Sequence, residues 1–178
     1  GDLASAEALL DENDDKRKTE WRLAWYDGVV ALLKGDPIGA YPKFQQVLSA
    51  MPGENGSKLA LAATAELILD VCPESDRNRW ARSSEHFYRT VWSVDRSVIS
   101  SAFGLARQLQ RRGEVAAAIA ELDQVPPNSR YSTLATLTTI LLLCQGRPLE
   151  ETEESHLREA ARRVANLPAG EHRAFQIR

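Results

Sequence analysis

The stretch "GDPIGAYPKFQQVLSAMP" (Gly35–Pro52) has an echo at the start of the chain, "GDLASAEALL" (Gly1–Leu10). In both, Gly-Asp is followed by an alanine five residues after the glycine and a large apolar residue four further on. The copies are 34 residues apart. Gly then Asp supplies a helix stop followed by an N-cap. Pro37 fits the first helical position, where its missing N–H is harmless. Small-then-bulky pairs recur at Ala6/Leu10, Ala40/Phe44, Ser84/Tyr88, Ala118/Leu122 and Ala160/Val164, at steps of 34, 44, 34 and 42 residues. Ahead of each later pair lies another helical run with its own small residue: Gly28, Ala62, Ala106 and Thr139.

This spacing predicts an all-α chain in which each unit is a helix, a turn and a second helix. A Gly or Ala on one helix lets the bulky residue of its partner lie against the backbone, at the short end of the usual ~8–10 Å interhelix distance. Gly28, Ala40, Phe44, Ala62, Tyr88, Ala106, Ala118 and Leu122 are the predicted packing residues. One hairpin cannot cover its own apolar face, so successive hairpins stack. The expected architecture is a right-handed solenoid of antiparallel helix hairpins, about three full repeats plus a half repeat.

Helices are expected over Trp21–Lys34, from Asp36 onward, and over Ser57–Cys72, Arg77–Asp95, Ser97–Gly113, Glu114–Val125, Ser129–Gly146 and Glu153–Leu167. Alternate units carry nine or ten extra residues, assigned to the turn. Pro42, in the second turn of its helix, is expected to kink or break it. No segment alternates with period two, so no strand is expected. The divisions are 1–18 (half repeat and linker), 19–54, 55–98 and 99–130 (repeats), 131–168 (last hairpin) and 169–178, within one domain.

Composition excludes several classes. With 43% hydrophobic and 26% charged residues, the 178-residue chain is globular in type. A net charge of −3 gives no pull toward nucleic acid or a membrane surface. No apolar run approaches the ~20 residues that span a bilayer. No basic-then-apolar leader stands at Gly1, so no secretion signal is expected. Cys72 and Cys144 end apolar helical runs and are expected as buried free thiols in a reducing cytosol. His86, His156 and His172 are far apart, without metal-ligand spacing. Ser97, Ser100 and Ser101 lack a nucleophile-elbow context. "DENDDKRK" (Asp11–Lys18) reads as a solvated linker, with a docking patch as the alternative. "EETEE" (Glu150–Glu154) reads as helix-start chemistry.

The unit from Trp21 to Pro52 resembles the tetratricopeptide (TPR) pattern through Gly28, Ala31, Gly35-Asp36, Ala40, Phe44 and Pro52. The next clear match is Leu105, Ala106, Gly113-Glu114, Ala118 and Leu122. Ala24 stands where the consensus has Trp. By TPR position, the first helix of each hairpin would line a partner groove with Trp25, Tyr26, Val29, Leu59, Ala63, Glu66, Phe103, Arg107, Gln110 and Arg111. Arg107 and Arg111 lie one turn apart and could hold a carboxylate or phosphate, or be a solvated cationic stripe. Trp25, Tyr26 and Phe103 could anchor a partner or be core. On the last helix, Arg158, Arg162 and Arg163 are expected on an exposed face, with Leu157, Ala161 and Val164 as a dimer contact.

"LALAATAEL" (Leu59–Leu67) and "DQVPPNSR" (Asp123–Arg130) lie outside any general TPR consensus, and "TEESHLREAARRVANLP" (Thr152–Pro168) stands with them. They resemble the C-terminal TPR region of the actinobacterial soluble serine/threonine protein kinase G family. "EHRAFQIR" (Glu171–Arg178) is similar to the opening of that family's terminal helix, cut short. The resemblance implies a cytoplasmic parent with a rubredoxin-like metal domain and a kinase domain, and with ATP and Mg²⁺ bound only there. It implies a scaffolding role: steadying the kinase domain, self-association, and choice of protein substrates such as small forkhead-associated-domain regulators. The chain itself has no G-x-G-x-x-G, HRD or DFG, so no catalytic, cofactor or metal residue is expected in it. The alternative is a stand-alone TPR adaptor, or the TPR region of another bacterial regulator.

Overall fold

The computed structural model describes residues 4–5, 20–144 and 154–167. Among these residues it contains eight α-helices of a turn or more in regular order and no strand. They are α1 (Trp21–Leu33), α2 (Pro37–Ala50), α3 (Asn55–Ile68), α4 (Glu74–Val94), α5 (Ile99–Arg111), α6 (Val115–Leu122), α7 (Ser132–Cys144) and α8 (Glu154–Ala165). Ala4 and Ser5 are also helical. The rest of the half repeat and linker, the acidic-basic run from Asp11 to Lys18, most of "EETEE" and the segment 169–178 lie outside the described residues. The chain divides into two compact units, one up to Gly104 and one from Leu105 onward, the divide falling inside α5.

In the first unit each helix packs on the next in sequence, α1 on α2, α2 on α3 and α3 on α4. The α1–α2 turn shows why Gly-Asp recurs. Gly35 has φ +76°, a left-handed conformation that costs glycine nothing. Its N–H donates to the Leu32 carbonyl and that of Asp36 to Ala31, closing a Schellman turn. The Asp36 carboxylate then accepts from the Gly39 N–H at 2.8 Å and starts α2, a cap that contributes about 1 kcal/mol.

Across this turn Phe44 presses on Gly28. A Cβ added at Gly28 would lie 2.7 Å from the Phe44 ring. Trp25 meets the same ring edge-on, with centroids 5.3 Å apart. Phe44, Ala40, Tyr41, Leu61, Ala65 and Ile68 form one buried cluster joining α2 to α3. In the α3–α4 hairpin, the Ser84 hydroxyl donates to the Ala62 carbonyl at 2.9 Å, so this small residue also bonds its partner helix. Tyr88 packs under Gly104 of α5, where an added Cβ would overlap its ring. Its hydroxyl donates to Glu66 Oε2 at 2.9 Å.

In the second unit the turn before α6 repeats the first. Gly113 has φ +79°, and its N–H and that of Glu114 reach the Gln110 and Leu109 carbonyls. Ala106, Ala118 and Leu122 are all buried. Helix α7 packs on α6 and α8 on α7.

Three expectations need correction. Pro42 does not break its helix, because α2 runs uninterrupted from Pro37 to Ala50. The one bond that Pro42 forfeits is to the Ile38 carbonyl, and both residues are exposed, where water can satisfy it. The extra residues of the second hairpin are not mainly turn. Helix α4 starts at Glu74, ten residues before Ser84, whereas α2 starts at Pro37, three before Ala40. Most of the insertion is therefore helix, and it brings Trp80 edge-on to Tyr41, with centroids 4.9 Å apart. Finally, the thiols are not buried: Cys72 is half-buried and Cys144 exposed, since α7 keeps Leu142 and Leu143 inside and turns its last residue outward.

Candidate functional site

Exposed side chains that can meet a partner are found on the first helix of each hairpin and on α8, among other places. On α1, Trp25 and Val29 are half-buried against the core cluster, while Tyr26 is 58% exposed. On α3, Leu59 is half-buried and Ala63 exposed. Glu66 receives the Tyr88 hydroxyl, which makes it part of the helix packing. Leu33 (70% exposed) and Leu67 (47% exposed) belong to the same faces and escaped the sequence reading. They sit one turn beyond Val29 and Ala63, so four-residue spacing was the signal that could have found them. Within the first unit the first-helix surface is thus apolar, carried by Tyr26, Leu33 and Leu67. Phe103, also in this unit, is half-buried.

In the second unit Arg107, Gln110 and Arg111 are exposed along α5. On α8, Leu157 is half-buried, Ala161 exposed and Val164 41% exposed, a stripe at four- and three-residue spacing. The arginines of α8 divide. Arg158 is exposed and pairs with Glu154 at 2.6 Å, and Arg162 is exposed and pairs with Glu159. Arg163 does not join them, because its side chain is only 15% exposed. It forks onto Asp123, just past α6, with N···O distances of 2.6 and 2.8 Å, and its Nε donates to Glu159 at 2.7 Å. A charge expected on the surface instead ties α8 to the end of α6, since a planar guanidinium can grip a carboxylate with two parallel bonds. Beside this pair lies a cavity of about 380 Å³, walled by Leu122, Val125, Ala135, Thr136, Arg163 and Leu167 among others.

Hydrogen bonds from Arg162 hold the Glu159 carboxyl down to about 2 against desolvation, assisted by Arg163 and by both positive charges. A depressed carboxyl favours the folded state above its ordinary value of 4.5, and that contribution is lost as pH falls from 4.5 toward 2. Acid titration followed by far-ultraviolet circular dichroism is expected to show helix loss in this window. Glu159→Gln removes the part due to this carboxyl; an identical titration curve for the variant contradicts the assignment.

The serines near α5 serve its start. Ser97 donates from N–H and hydroxyl to Asp95, which lowers the Asp95 pKa, and Ser101 donates to the Val98 carbonyl. Among the described residues no three His, Cys, Asp or Glu side chains gather as a metal site. No described helix is long and apolar enough to cross a membrane.

Comparison with known proteins shows the fold and the family. Two crystal structures of MamA share the fold, each with a TM-score of 0.62. One is 10% identical and covers 92% of this chain and 86% of its own; the other is 19% identical and covers 91% and 79%. Serine/threonine-protein kinase PknG of Mycobacterium leprae is 46% identical over all 178 residues, and that of Mycolicibacterium smegmatis 44%. The chain spans 22% of the length of each of these kinases. The family model described as protein kinase G tetratricopeptide repeat matches residues 1–178, and the chain belongs to that family.

Proposed function

We propose that this chain is the protein-interaction and scaffolding region of a cytoplasmic serine/threonine protein kinase. In this reading it supports dimerisation, steadies the kinase domain and selects protein substrates. The observation that carries the proposal is the full-length match to the kinase relatives, 44–46% identical, over a segment that is only 22% of their length. Phosphate transfer, with ATP, Mg²⁺ and a rubredoxin-like metal centre, belongs to other parts of such a parent. The apolar first-helix surface of Tyr26, Leu33 and Leu67 suits a protein partner. The α8 stripe of Leu157, Ala161 and Val164 suits a second copy, and Arg107 with Arg111 suits an acidic group on a substrate.

The test compares the parent kinase with and without this segment. Removal is expected to lower phosphorylation of a folded protein substrate far more than that of a short acceptor peptide, whose smaller loss reports the steadying of the kinase domain. Equal loss on both, or loss on neither, contradicts substrate selection by this region.

A further inference from the structure

The lengthened helix α4 does more than lay Trp80 over Tyr41. Ser75, Arg79, Arg82, His86, Arg89 and Ser93 follow one another at three- and four-residue spacings, which places them on one helix face. All six are exposed. No Asp or Glu interrupts the stripe. Glu85 borders it and holds Arg89 at 2.9 Å, while Glu74 pairs with Arg77 on another side of the helix. The Arg79 guanidinium stacks over the Trp80 ring, 4.9 Å from its centroid, and is thereby held in place. Among the described residues neither Arg79 nor Arg82 is paired with a carboxylate. A chain of net charge −3 thus carries a basic strip from Arg79 to Arg89 about 15 Å long.

We propose that this face of α4 docks an acidic, unmodified Asp/Glu-rich peptide segment of a partner protein. The strip is one helix wide, which matches a single extended or helical segment. Guanidinium forks take carboxylates with two parallel bonds, and two of the three forks await such a group. A lipid surface fits less well, because none of the six residues is apolar and nothing on the strip would insert among acyl chains. The site is separate from the first-helix surface proposed above, so either can fail alone.

The test is fluorescence anisotropy of the whole chain with a labelled twelve-residue peptide of Glu, Asp and Ser. Binding at low salt is expected, and it weakens as salt is added. Arg79→Glu with Arg82→Glu is expected to weaken it about tenfold or more, and the milder Arg79→Gln with Arg82→Gln pair serves if the first does not fold. Arg158→Glu on α8 is expected to leave it unchanged. Equal affinity in the wild type and the folded double variant overturns the proposal. So does capture by phosphatidylserine vesicles without binding of the peptide.

Discussion

Phe44→Ala is expected to lower the unfolding free energy of the first unit by about 3–5 kcal/mol, the range for emptying a buried aromatic site. Phe44 is 1% exposed, and its ring fills a notch whose floor is helix backbone at Gly28 and whose wall is the Trp25 ring. Helix backbone cannot collapse into the vacated space, so the loss falls high in the range. Trp21, Trp25, Trp80 and Trp92 all lie in this unit and are the chain's four tryptophans, so urea unfolding followed by their fluorescence reads it directly. A loss under about 1 kcal/mol would mean that the ring does not sit in the notch.

Tyr88→Ala is expected to match it, again about 3–5 kcal/mol, with a different division. Tyr88 occupies the position in its hairpin that Phe44 holds in the one before, and it is 3% exposed. Its ring lies under Gly104 of the following hairpin, and its hydroxyl reaches back to Glu66 on its own. Tyr88→Phe removes only the second contact and is expected to cost about 1–2 kcal/mol, because Glu66 loses a donor in a half-buried place. Equal losses for the Ala and Phe variants would show that the hydrogen bond, and not the ring, joins these helices. The same tryptophan-monitored unfolding measures both.

The pairing of Gly28 with Phe44 was legible because a small residue and a bulky one recur at a fixed interval, and only close helix packing requires that. The pairing of Tyr88 with Gly104 was not, because it joins successive hairpins, and Gly104 lies two residues before the small position that the repeat marks at Ala106. Insertions were visible as lengthened gaps, but period alone does not say whether added residues are turn or helix. Trp80 decides it, since an aromatic that covers Tyr41 rewards continuing α4 backwards to Glu74. Pro42 misled because propensity counts the missing N–H and not the exposure of Pro42 and Ile38, where solvent can satisfy the freed carbonyl. Arg163 misled because helix periodicity assigns a face by spacing, whereas Asp123, forty residues earlier, draws it inward. The surface was the least legible part. Leu33 and Leu67 continue the four-residue spacing from Val29 and Ala63, but spacing does not give exposure, and both are exposed.

The most direct measurement is a double-mutant cycle on Gly28 and Phe44 by urea unfolding. In the wild type, Gly28→Ala pushes a methyl into the Phe44 ring and is expected to destabilise by about 1–3 kcal/mol, despite the better helix propensity of alanine. In the Phe44→Ala background the obstruction is gone, and the same change is expected to be neutral or to stabilise by up to about 1 kcal/mol. The same effect of Gly28→Ala in both backgrounds would contradict the packing of small against bulky residues that builds each hairpin.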